Sequence, residues 1–346
     1  MIAEYVSIAH PDRMSDLMAA KLITYLQTSP SVHAAIEVMC VNKTVIFAGE
    51  SNVKVNKKLL KTVVKEVMED CGYERKMDFK DGVDYVSSKK IKIKNLINKQ
   101  SEDIAKSTTD KAENSGWNDQ GIFFGSCDLS VPNGQTISKY LSQSFGEFLF
   151  KKAKQSKLFG TDIKVLMETV DYFIERVVVA IPCKKEESLI FIKAKVKMYF
   201  LEWIAEVKKD YGITINVDPS FFEVNTSGVF VKHGMIADTG LTGRKIAINC
   251  LDTDYKNGGG SMIKPWHSAD LLIPLYLRDL SASKYNGKHL MATTTIGTNL
   301  LNVFDSETEE LLEVVNINPI SIADSYNLFD GKTFYNLVKE NFTKCA

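Results

Sequence analysis

The sequence predicts an α/β chain of α+β type, built from three related units, each a mainly antiparallel sheet with helices on one face. Two observations carry this. Apolar and β-branched runs broken by short polar turns read as strand pairs at 32–49, 164–182 and 289–318. A stretch with helical spacing follows each pair, so two strands and then a helix occur three times, as in a chain of repeated layered units. The unit boundaries expected from this order are 1–110, 111–231 and 232–346, with units free to be discontinuous in sequence.

The elements follow in order. From Asp12 to Gln27, Met14, Met18, Leu22 and Tyr25, with Leu17 and Leu26 beside them, form a helical stripe. His10-Pro11-Asp12 stands at its start, where proline suits the first turn and an acid suits the positive end of the helix dipole. Residues 32–49 read as a hairpin about Asn42-Lys43. The next helix carries Leu59/Leu60, Val63/Val64 and Val67/Met68 at steps of four. Residues 97–118 are polar and nearly free of core residues, as in a lid, a binding loop or a linker. Two strands joined near Asp171 follow at 164–182, then a helix from Glu187 to Asp210. Strand-like HLMATTTIG and ELLEVVNIN precede the helical GKTFYNLVKENF.

With 346 residues the chain has room for a substantial core. Lys plus Arg equals Asp plus Glu at 43 each, which argues against a general nucleic-acid binder but allows a local basic pocket. Cys40, Cys71, Cys127, Cys183, Cys250 and Cys345 are scattered without a Cys-x-x-Cys pair, the pattern of free thiols in a reducing compartment. No signal peptide and no membrane-length apolar run is seen. A cytoplasmic protein with no nucleic-acid or membrane partner is expected.

The chemistry-bearing stretches are individually ambiguous. In GMIADTGLTGRK (234–245), the glycines and the Arg244-Lys245 pair fit either a turn leading into a strand (KIAINC) or a backbone cradle for a polyanion. The spacing is not that of a Walker loop, and no dinucleotide fingerprint, zinc-protease helix or nucleophile elbow is present. His10, Asp162-x-Lys164, GWNDQG (116–121) and the Gly258–Gly260 run before Lys264 and Asp270 are each as readily turns or solvated charges.

Their order decides the matter. His10-Pro11-Asp12, Glu37, Glu50, Gln100-Ser101, GWNDQG, Asp162-Ile163-Lys164, DTGLTGRK (238–245) and GGG (258–260) together resemble the methionine adenosyltransferase family, also called S-adenosylmethionine synthetase. The resemblance runs from about His10 to Asp270. Its most specific part is the family's D-x-G-L-T-G-R-K-I, here Asp238 to Ile246; G-H-P-D-K appears as Ala9 to Arg13, and G-A-G-D-Q-G as Gly116 to Gly121.

The resemblance implies the pseudo-threefold fold of that family and the joining of ATP to L-methionine by attack of the thioether sulfur on C5′. Tripolyphosphate leaves and is cleaved to pyrophosphate and phosphate. A thioether has no proton to remove, which accounts for the missing base and nucleophile. By resemblance, His10, Lys164, Arg244, Lys245 and Lys264 cradle the polyphosphate. Asp162 reaches the ribose and Phe230 stacks on adenine. Glu50, Gln100, Asp119, Asp238 and Ile296 surround methionine. Asp12 and Asp270 hold two Mg²⁺ ions, and Glu37 belongs to a K⁺ site. The loop around Gln100 corresponds to the family's mobile active-site loop, which favours a lid. A homodimer with active sites between subunits is implied, with further pairing into tetramers left open.

Some positions depart from the family. Ser268 stands where a second lysine is usual, with His267 beside it. Val229 replaces an arginine, Arg13 a lysine, and A-I-G-V-A-E-P is absent from a short C-terminal third. Two other readings therefore stay open: a catalytically weak homologue serving as a regulatory subunit, and a tripolyphosphatase.

Overall fold

Hairpins with turns too short to allow anything but immediate reversal set the architecture. The computed structural model describes residues 1–27, 32–74, 88–99, 116–218, 220, 222–229, 231–245, 248, 263 and 268–340. In the first sheet, β2 (Ala34–Val41) and β3 (Thr44–Ser51) pair antiparallel about Asn42 and Lys43, whose φ values of 40° and 62° are those of a tight hairpin turn. β4 (Lys92–Lys99) lies parallel to β3, and the two-residue β10 (Gly240–Leu241) pairs with β2. Helices α1 (Pro11–Leu26) and α2 (Lys57–Asp70) cover the inner face. β2 alternates buried and exposed residues along its length, so one face meets helices and the other does not.

The second sheet has the order β1 (Ile2–Val6), β6 (Lys164–Val170), β7 (Phe173–Ala180), with β8 (Asn216–Val217) and β9 (Phe222–Val224) parallel to β7. The β6–β7 turn holds Asp171 at φ 50°. Helices α3 (Ile137–Gln155) and α4 (Leu189–Tyr211) form its covering layer, with Phe145 against Phe200 at 5.0 Å and Trp203 at 5.3 Å between ring centroids. The third sheet is fully antiparallel: β13 (Leu311–Asn316), β12 (Leu300–Asp305), β11 (Leu290–Thr294), β5 (Gly121–Gly125). It carries α5 (Ala269–Ser283), and the short α6 (Pro319–Ser325) and α7 (Gly331–Lys339) close the chain.

The three-unit α/β architecture holds, with corrections. Each sheet is completed by a strand distant in sequence: β10 in the first, β1 in the second, β5 in the third. The last unit has an additional strand, β12, between the two anticipated ones, and α3 and α5 were not anticipated. Ile97, Asn98 and Lys99 belong to β4, and Trp117 in the supposed core-free stretch is fully buried. Thr242 to Lys245 form a turn, so no strand starts at Arg244.

Two apolar cores result among the described residues. One joins the helices of the first and third units, through Met14, Leu17, Val38, Leu272 and Leu290. The other lies under α3 and α4, through Phe145, Val165, Phe200 and Trp203. No helix among the described residues is long and apolar enough to cross a membrane.

Candidate active site

The N-terminus of α1 is the foundation of the site. His10 is its N-cap, and its Nδ1 accepts from the Asp12 backbone N–H at 3.2 Å, with Pro11 in the first turn. That bond leaves the ring proton on Nε2, which lies 3.8 Å from Asp238 Oδ2. His10 and Asp12 are 2% and 1% exposed. Burial, then the Lys164 charge, push the His10 pKa down to about 4, against the raising effect of Asp12. At neutral pH His10 is therefore an uncharged hydrogen-bond donor.

The glycine-rich stretch folds onto this helix start residue by residue. Gly240 sits so close that a Cβ there would lie 2.1 Å from the Pro11 carbonyl, so only glycine fits. Leu241 N–H donates to Asp12 Oδ1 at 2.9 Å. Thr242 N–H donates to the Val38 carbonyl at 3.1 Å, and the Thr242 hydroxyl donates to Glu37. Gly243 N–H, at φ 80°, donates to Asp16 Oδ1 at 2.9 Å. Asp12 and Asp16, one helical turn apart, thus clamp alternate amides of the loop.

This clamp sets the next two side chains. Arg244 Nη1 donates to the Thr239 carbonyl at 3.0 Å and lies 3.5 Å from Asp12 Oδ1; Lys245 Nζ is 3.5 Å from Asp12 Oδ2. Lys164 opens β6 opposite Val6 and acts electrostatically on His10. Asp162 accepts from Gly234 N–H at 2.8 Å, and burial pushes its pKa up to about 6. The structure therefore brings together His10, Asp12, Asp162, Lys164, Asp238, Arg244 and Lys245. Glu37 and Glu50 project from the outer face of the first sheet, level with exposed Met39, Leu96 and Leu241.

A second group forms at the start of α5. Asn118 Oδ1 accepts from Ala269 N–H at 2.9 Å, tying GWNDQG to the helix turn that carries Asp270. Trp117 exchanges backbone bonds with Thr298 (2.8 Å) and Gly297 (2.9 Å), which brings Asp119 near Ile296. Ser268 is buried as the α5 N-cap, and its hydroxyl finds no partner among the described residues. Gln100, Phe230 and Lys264, with the Gly258–Gly260 run and His267, lie outside the described residues.

Asp16 is the residue that sequence reasoning missed, along with its pairing to Arg13. Burial pushes the Asp16 pKa up to about 6, opposed by Arg13, whose Nη1 is 3.6 Å away. Arg13 Nη2 also donates to the Val338 carbonyl of α7 at 2.9 Å. The available signal was the i, i+4 spacing of Asp12 and Asp16. Among the described residues no three acidic, histidine or cysteine side chains gather to hold a metal ion. The hard carboxylate oxygens of Asp12 and Asp270 still suit Mg²⁺, which usually takes one or two carboxylates and completes its shell with water and substrate phosphate.

A family model described as S-adenosylmethionine synthetase, N-terminal domain, matches residues 1–102. The S-adenosylmethionine synthase of Borrelia garinii subsp. bavariensis is 30% identical across 75% of this chain and 67% of that protein. That of Mycoplasmopsis pulmonis is 26% identical across 96% of this chain and 90% of its own length. Among solved structures, an unusual S-adenosylmethionine synthetase from Campylobacter jejuni has the same fold: TM-score 0.81, 19% identity, covering 99% of this chain and 95% of that one.

Proposed function

This chain belongs to the S-adenosylmethionine synthase family, and we propose that it makes S-adenosylmethionine from ATP and L-methionine. The observation that carries the reading is the convergence of His10, Lys164, Arg244 and Lys245 around Asp12, on a backbone loop held by successive hydrogen bonds. Such a cluster suits a polyphosphate that gains charge as it leaves.

The methionine sulfur attacks C5′ and the triphosphate departs. Arg244 and Lys245, which ion-pair with Asp12 in the free protein, engage the phosphates when ATP binds, together with Lys164 and, by family resemblance, Lys264. Neutral His10 donates from Nε2. Once ATP is bound these groups are already in place, so little reorganisation is needed as charge develops. Asp162 orients the ribose and Phe230 stacks on adenine. Glu50, Gln100, Asp119, Asp238 and Ile296 position methionine so that sulfur and C5′ are aligned. The same cations then serve cleavage of tripolyphosphate to pyrophosphate and phosphate. Asp12 and Asp270 would hold Mg²⁺ and Glu37 would hold K⁺; these ions supply charge neutralisation on the phosphates.

The two groups of site residues are completed across a homodimer in this reading. It is supported by the exposed apolar residues around Glu37 and Glu50, and by Ile122, Leu300 and Val314 on the third sheet. Buried free thiols at Cys40, Cys71, Cys127 and Cys183 suit a reducing cytoplasm. Ser268, buried where a cation is usual, favours one second reading, a weak homologue that regulates an active partner.

Incubation of the protein with ATP, methionine, Mg²⁺ and K⁺ tests this, with S-adenosylmethionine and phosphate quantified. Product is expected, and Arg244→Ala should lower turnover by about 100- to 1000-fold, with the fold intact because the side chain is half exposed. Phosphate released from added tripolyphosphate without S-adenosylmethionine would mark a tripolyphosphatase. Silence, relieved by a homologous subunit, would mark the regulator.

A further inference from the structure

Away from this site, helix α4 carries two apolar stripes. Ile192, Val196, Phe200, Trp203 and Val207 are buried and belong to the core of the second unit. That is the one stripe a surface helix needs. The second stripe faces away from it. Phe191, Ala194, Met198, Leu201, Ala205 and Lys208 are all exposed. Their spacing is three, four, three, four and three residues, an unbroken heptad seam. It runs about 25 Å along the helix.

Single apolar side chains on a surface are ordinary. A seam that repeats over five turns is a packing surface, and its residue order says what packs there. Read from its centre, between Tyr199 and Phe200, the seam is its own complement. Met198 and Leu201 stand equally far from that point, as do Ala194 and Ala205, and Phe191 and Lys208. The charges beside it also balance: Lys195 lies on the flank that carries Glu202, one lysine in the first half and one glutamate in the second. None of these residues belongs to the site proposed above, and the homodimer of that reading uses sheet faces of the first and third units.

We propose that the outer face of α4 is an interface between two copies of this chain, with the two α4 helices packed antiparallel. A two-fold axis through the seam centre makes the contact isologous. Met198 then meets Leu201 of the second copy, and Ala194 meets Ala205. Phe191 lies under the Lys208 stem, whose ammonium reaches the ring face. All three layers fall into place in one register. In an antiparallel pair each flank meets its own kind. On one side Lys195 faces Glu202 of the second copy, twice by symmetry. Glu202 already holds Lys152 at 2.7 Å, so the incoming lysine completes a lysine–glutamate–lysine bridge. On the other side Ile190, 84% exposed, meets Tyr211, 58% exposed, and the Lys197 stem covers half-buried Ile204. A parallel pairing would set Lys208 against Lys208, so the charges select the antiparallel one.

Analytical ultracentrifugation of the full chain at rising concentration tests this. The parental protein should reach at least twice the mass of Leu201→Asp, whether the smaller species is a monomer or the homodimer of the synthase reading. Leu201 is 58% exposed, so the variant should melt with the parent and form S-adenosylmethionine at an unchanged rate. Lys195→Glu turns two attractive contacts into repulsive ones and should weaken association about tenfold. Adding Glu202→Lys restores opposite charges across the axis and should recover it. Equal masses for the parent and Leu201→Asp would overturn the interface, and a charge-reversed pair that stays weak would overturn the antiparallel register. Neither result bears on the synthase reading, which is assayed separately.

Discussion

Asp16 is a residue whose removal should make the protein more stable and less active. Its carboxylate is buried, and its pKa rises from 3.8 to about 6. A raised carboxyl pKa means that the folded state binds protons more tightly than the unfolded one. Stability therefore falls as pH rises from 3.8 to about 6 and stays lowered above that. Two units correspond to about 3 kcal/mol, so Asp16→Asn should gain up to about 3 kcal/mol at pH 7, and the gain should vanish below pH 4. The same substitution replaces a charge-assisted bond to Gly243 N–H with a neutral one about half as strong. The turn that aims Arg244 and Lys245 is then held less firmly. A loss of about 1.4 kcal/mol in that clamp is a tenfold loss of the competent geometry, and Asp16→Ala, with no acceptor at all, should cost about 100-fold. Urea unfolding at pH 7 and pH 4, with turnover of each variant, provides the comparison. An Asn variant that is less stable than the parent, or one that turns over at the parental rate, would refute the reasoning.

Three further outcomes are expected. Gly240→Ala should abolish at least 99% of turnover, about 100-fold, because its methyl group cannot fit above Pro11; steady-state kinetics showing near-parental kcat/KM would contradict the packing. Asn118→Ala should cost about 1 kcal/mol of stability by uncapping Ala269, read as a lower urea midpoint; an unchanged midpoint would make that bond idle. His10, with a pKa lowered from 6.5 to about 4, has the opposite sign to Asp16. Its contribution is intact above pH 6.5 and is lost as pH falls towards 4. Relative to His10→Asn, the parent should therefore lose about 3 kcal/mol over that window, and parallel pH–stability curves for the two proteins would show that the imidazole is not buried neutral.

Where a helix has one wet face and one dry face, the sequence announced it. The α2 stripe and the α4 run were legible for that reason, as were the hairpins at Asn42-Lys43 and Asp171, where polar residues interrupt apolar strands. Helix α1 was legible from its His10-Pro11-Asp12 start and apolar spacing, although it is buried on nearly every side and Tyr25 of the expected stripe is exposed. Helix α3 was not, because Ser138, Lys139, Ser142 and Gln143 are buried with its apolar residues and erase the contrast. Helix α5 is apolar nearly all round and contains Pro274, which argues locally against a helix. The site shows the same division. His10, Asp12, Asp162, Lys164, Arg244 and Lys245 could be named because they lie in short motifs whose order along the chain resembles a known family. Asp16 and Asn118 act by accepting backbone N–H groups from segments far along the chain, and no local pattern records such a partner. Trp117 stands among polar neighbours in sequence, and the turn it bonds to comes far along the chain, at Gly297 and Thr298.

The borrowed edge strands have a bearing on how the polypeptide is made. The early hairpin keeps an open border until Gly240 and Leu241 emerge from the ribosome, and Ile2 to Val6 wait for Lys164 to Glu168 before they find a ladder. Pairings this remote slow the search for the native state and leave apolar borders uncovered meanwhile. An excised third would therefore lack the strand that completes its sheet and keep an unpaired edge.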